Sequence, residues 1–179
     1  MDRDKSPLGK PRVPKAKARS TSPGREGKSA FGRAPPARSG SSSDRRAFQA
    51  LLQCQAKHMA KILVELDHGA KESCWAWYIF PTEKAGMCDM DETRITTENA
   101  KDLCDASVNT SAGHWQQCLE KICDLLEERN VKPPDSHVLP RIDHGRVHWF
   151  VKFWQSYEFS PPWMQEVCRR LDEFDFPRH

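Results

Sequence analysis

The chain has 179 residues, 37% hydrophobic and 30% charged, with a net charge of +3. That is enough apolar mass for one domain with a real core, but not comfortably for two. No apolar run reaches the roughly 7–15 residues of a secretory h-region or the roughly 20 of a membrane span, so the expectation is a soluble intracellular protein, cytoplasmic or nuclear, with no membrane partner. Seven cysteines, an odd number scattered singly, read as reduced thiols rather than a disulfide framework.

The charge is unevenly spread. Residues 1–43 carry eleven Lys or Arg against three acids, a net +8, so the remaining residues carry −5. This segment is rich in Pro, Gly, Ser, Arg and Lys, with Phe31 its only aromatic residue and no apolar period. It cannot bury enough surface to offset the entropy of ordering. The reading is a disordered basic leader over 1–43 and a single helical domain over 44–179. Beyond a plain solubilising role, three functions suit the leader. "KPRVPKAKAR" fits nuclear import or weak non-specific nucleic-acid binding. Ser6-Pro7 and Ser22-Pro23 fit proline-directed phosphorylation, and the Arg/Ser bias fits organelle targeting, although Asp2 and Asp4 sit badly there.

Past Ser43 the apolar spacing becomes helical. Phe48, Leu51, Leu52, Gln55, Met59, Ile62, Leu63 and Leu66 recur at steps of three and four, which predicts a helix over about 45–67, capped by Ser43 or Asp44 and ended by Gly69. "TTENAKDLCDA" predicts a second over about 97–107, with Thr96 or Thr97 as cap and Ala100, Leu103 and Cys104 inward. Ser111 then caps a third, whose stripe of Trp115, Cys118, Leu119, Ile122, Leu125 and Leu126 runs to about 129. Three prolines and a glycine make Asn130 to Arg146 a long surface connection. "VHWFVKFWQSYEF" predicts a fourth helix too apolar to face water on more than one side, hence central. The last runs from Trp163 to about Phe174, with Pro161 or Pro162 in its first turn and Met164, Val167, Cys168 and Leu171 inward. No strand-length alternation and no repeat appear, so the fold class is all-α, a compact bundle of about five helices.

Between the first two helices stands "CWAWYIFP", Cys74 to Pro81. The pattern Gln55-x3-Met59-x2-Ile62-x3-Leu66-x2-Gly69-x-Lys71-x3-Trp75-x-Trp77-Tyr78-Ile79-Phe80-Pro81 resembles a family of all-helical bacterial domains of unknown function, some members of which are labelled calpastatin. The likeness runs through "ITTENAKDLCDA" and "HWQQCLEKI" to "MQEVCRRLDEF", over about residues 48–175. It implies a helical fold and no particular reaction. Cys74 stands where the family has histidine and Thr82 where it has glutamine, and "RVHWFVKFW" puts bulk in place of small hydroxyls. If those polar groups form a site in the family, the resemblance implies an altered one here.

The stretch is expected to send Trp77, Ile79 and Phe80 into the core as anchors and to leave Trp75 and Tyr78 as pocket candidates. Beside them, Lys71 and Arg146 offer recognition of an anion, and Trp75 with Trp77 offers stacking for a nucleobase or another planar group. The candidate ligand-binding set is Lys71, Trp75, Tyr78, Arg146 and His148, where "GAKESCW" meets the start of the fourth helix. His144 and His148 at i, i+4 beside Asp143 have metal-like spacing, but Gly145 places His144 ahead of the helix and structural histidines are the simpler reading. Cys74 or Cys88 with His114, His144 or His148 would be a chance nucleophile set among seven cysteines and seven histidines. No catalytic residue, metal or cofactor is assigned. The function expected is a ligand-binding or interaction module for an anionic small molecule or a protein partner. The alternative is an enzyme acting on a nucleotide or phosphorylated metabolite through a Lys/Arg/His-lined pocket.

Overall fold

The computed structural model describes residues 42–83, 94–109, 114–133 and 135–178, all within the unit Arg38–His179. The expectations for the leader up to residue 41, and for Cys88 and Ser111, lie outside these residues. Six helices form, α1 (Ser42–Asp67), α2 (Ala76–Ile79), α3 (Ala100–Asn109), α4 (His114–Arg129), α5 (Arg141–Ser156) and α6 (Pro162–Asp172). Among the described residues there is no strand, only an isolated bridge between Thr82 and Arg94. The all-α expectation holds, with one extra turn of helix. No helix among the described residues is long and apolar enough to cross a membrane.

The 3.6-residue apolar period does most of the construction. Leu51, Gln55, Met59, Ile62 and Leu66 bury one face of α1, and Gly69 ends the helix at φ +93°, a conformation that a Cβ disfavours. The helix begins at Ser42, so Ser43 and Asp44 fall inside it rather than capping it. Ala100, Leu103 and Cys104 face inward from α3, and Met164, Val167, Cys168 and Leu171 from α6. Pro162 opens α6, where its missing N–H costs nothing.

Two expectations change in tertiary context. The connection after α4 is shorter than the prolines suggest, because Pro140 occupies the N-cap of α5 at φ −66° and starts the helix instead of breaking it. Gly145 and His144 therefore ride on α5, both buried. The central position belongs to α4, which packs on α1, α2, α3 and α6, whereas the principal neighbour of α5 is α6. What α5 contributes is bulk: Phe150, Val151, Phe153 and Trp154 are all buried.

An aromatic cluster joins these elements. Phe80 meets Phe150 edge-on at 5.3 Å, and Trp115 meets Trp154 at 6.1 Å, arrangements that favour the ring quadrupoles. The Trp115 indole N–H donates to the Ile79 carbonyl at 3.0 Å, so the deepest ring of α4 also fixes α2. At the surface, Arg170 donates to Glu127 and Asp124 at 2.6 Å and ties α6 to α4.

Candidate functional site

The segment from Gly69 to Pro81 is held against α1 by one buried carboxylate. Glu65 Oε2 accepts the backbone N–H groups of Glu72 and Ser73 at 2.9 Å and the Trp75 indole N–H at 2.6 Å. Its Oε1 accepts the Ser73 hydroxyl. Burial alone would raise the carboxyl pKa, but these donors outweigh it and hold Glu65 at about 2. Periodicity hid this residue. A glutamate on the apolar side of an amphipathic helix carries no signal until the donors that satisfy it are in place.

With the loop pinned, Ala76–Ile79 winds one helical turn. Trp75 and Ile79, four residues apart, then point the same way into the core, while Trp77 and Tyr78 come out half-buried. The expected roles of the two tryptophans are thus exchanged: Trp75 is 1% exposed and is the anchor. Trp77 is the ring at the rim.

The structure also places the candidate residues. Lys71 Nζ lies 2.8 Å from Asp143 Oδ2 and 5.5 Å from the centre of the Trp75 ring. The pair is close, yet that oxygen receives no well-directed hydrogen bond. Arg146, three residues along α5 from Asp143, covers the Trp77 ring at 3.9 Å. The junction between "GAKESCW" and the start of α5 therefore exists, built from two cation–indole contacts and an ion pair. Both cations are nearly buried in it.

Tyr78 and His148 look elsewhere. The Tyr78 ring stacks on His58 at 5.5 Å and 13°, and its carbonyl accepts the buried Gln55 amide at 2.8 Å. Burial raises the phenol pKa, helped by the nearby Cys54 and Cys74 thiols. These rings wall a cleft of about 210 Å³ lined by His58, Lys61, Ile62, Ser73, Cys74, Trp75 and Tyr78. Lys61 stands at its edge with its side chain largely exposed, 3.7 Å from Glu65 Oε1. His148 instead meets the Phe176 carbonyl through Nδ1 at 3.0 Å.

The histidine pair that resembled a metal site is parted by its partners. His144 Nε2 bonds the Leu139 carbonyl and its ring packs on Phe176. Among the described residues no three His, Cys, Asp or Glu are grouped to hold a metal ion. Burial pushes the thiols of Cys104 and Cys123 up to about 12 and raises those of Cys118 and Cys168 as well, which suits packing rather than nucleophilic attack. Cys74 alone among the described cysteines is exposed.

A family model described as a protein of unknown function, DUF1810, matches residues 45–170. The chain belongs to the DUF1810 family. That match covers α1 almost entirely and continues through most of α6, so the Glu65 clamp, the α2 turn and the Lys71–Asp143 junction all lie within the DUF1810 domain. No curated protein and no solved structure matches the chain.

Proposed function

We propose that this DUF1810 domain is a binding module for a small anionic ligand with a planar group, taken up in the cleft between α1 and α2. The observation that carries the reading is the wall of that cleft. The His58–Tyr78 stack presents a preformed aromatic surface, Lys61 supplies a cation at the edge, and Trp75 forms a floor that Glu65 holds in one orientation. A ligand meeting such a surface loses little to side-chain reordering. The small volume favours a compact guest, a single ring bearing a carboxylate or phosphate.

Of the residues expected from sequence, Trp75 and Tyr78 belong to this cleft, and Lys71 lies over the Trp75 indole, 5.5 Å from its ring centre. Arg146 and His148 take no part in it. Lys71 is paired with Asp143, and so acts here as a support for the floor.

A thermal-shift screen of aromatic carboxylates and nucleoside monophosphates tests the reading, because a ligand of the folded state raises the melting temperature with its concentration. The expected result is a hit whose shift disappears in both Lys61→Gln and Tyr78→Leu. A hit that shifts those variants as much as the wild type, or a panel with no hit at millimolar concentration, overturns it. Chromatography of the ligand after prolonged incubation reads the enzymatic alternative: turnover appears as its disappearance.

A further inference from the structure

A second cleft, of about 300 Å³, opens between the second half of α5, the end of α6 and the segment that follows it. Its floor is apolar, made by Val151, Leu171 and Phe176. Phe176 is buried, and the chain reaches it through Asp175 in the left-handed region at φ +50°, a conformation that Asp tolerates better than most residues. The Phe176 carbonyl accepts from His148 Nδ1 at 3.0 Å, which fixes the imidazole against the wall.

The charges around this floor sort into two kinds. Lys152 and Asp172 satisfy each other at 3.2 Å. That leaves the Asp175 carboxylate and the Arg178 guanidinium, both exposed, as the charges that line the cleft toward a guest. Because His148 donates Nδ1–H to a carbonyl, its Nε2 carries a lone pair and can accept. Burial lowers its pKa, and Lys152 and Arg178 lower it further against the hydrogen bond to Phe176 and the charge of Asp172, which favours the neutral ring.

One negative group, one positive group and an imidazole acceptor around an apolar floor complement a molecule of opposite layout. We propose that this cleft binds a small zwitterion, an α-amino acid with an apolar side chain. The ammonium pairs with Asp175 and the His148 lone pair, the carboxylate pairs with Arg178, whose planar fork suits it, and the side chain lies on Val151, Leu171 and Phe176. Asp172, Asp175, Phe176 and Arg178 stand beyond the residues that the family model matches. The cleft shares no lining residue with the one between α1 and α2.

Isothermal titration of the full chain with L-leucine and L-phenylalanine, alongside N-acetyl-L-leucine and L-leucinamide, reads the proposal directly. The free amino acids bind, and each blocked analogue, lacking one charge, binds about three- to fivefold more weakly, the scale of an exposed charge pair. Arg178→Gln weakens leucine about three- to fivefold and no longer distinguishes it from leucinamide. Asp175→Asn does the same for N-acetyl-leucine. Both side chains are exposed, so the variants keep the wild-type melting temperature, checked on the same samples. Absence of binding by either free amino acid at millimolar concentration overturns the proposal, as does equal binding of the blocked analogues or wild-type affinity in both variants.

Discussion

At the scale of single residues, Glu65 and the two tryptophans make the sharpest claims. Glu65 sits at about 2 in the folded chain against an ordinary 4.5, so its contribution to stability is complete above about pH 4.5 and fades as the pH falls toward 2. One pKa unit corresponds to about 1.4 kcal/mol, which puts this single group at a few kcal/mol. Urea unfolding of wild type and Glu65→Gln from pH 7 to pH 3 should therefore give two curves that are well apart at neutral pH and converge in acid. The tryptophans separate by burial. Trp75→Ala removes a ring that is 1% exposed and bonded to Glu65, a loss of about 3–5 kcal/mol. Trp77→Ala removes a half-buried ring and should cost less than about half of that, with the order read from the two denaturation midpoints. The aromatic density of "CWAWYIFP" was plain in the sequence. Which ring went inward was not, because that depends on one helical turn whose formation relies on Glu65 and Trp115 reaching it from other elements.

At the scale of elements, the joints between helices carry the specificity. Gly69 turns the chain out of α1 at φ +93°, and a Cβ there would lie 2.8 Å from Arg129 Nη2, the group that donates to the Gly69 carbonyl. Gly69→Ala combines backbone strain with displacement of that arginine and should destabilise by more than about 1 kcal/mol, measured as a lower melting temperature. Lys71 and Asp143 join the same loop to α5. Asp143→Ala leaves a nearly buried ammonium without its partner and should cost about 3–5 kcal/mol, whereas Lys71→Met with Asp143→Leu recovers a large part of it, because the penalty comes from the uncompensated charge. Helix positions were legible from apolar spacing in α1, α3, α4 and α6. The start of α5 was not, since Pro140 reads as a breaker until its place at the N-cap is known.

At the scale of the whole molecule, the described fold belongs to the unit Arg38–His179. A chain beginning at Arg38 should unfold at the same temperature as the full chain, by circular dichroism, because the segment removed has no apolar period with which to anchor itself. A loss of more than a few degrees would mean that it contributes. The sequence by itself determined the helical class, the extent of the family likeness and most of the buried stripe on each helix. Those follow from period and composition, which are local properties. Only the tertiary structure decided which polar groups meet. Lys71 and Arg146, expected to face one ligand with His148, are drawn instead to Asp143 and Trp77, while His148 turns to Phe176. The physical reason is that a buried charge or imidazole must find a partner. That partner lies tens of residues away, at a distance no spacing along the chain encodes.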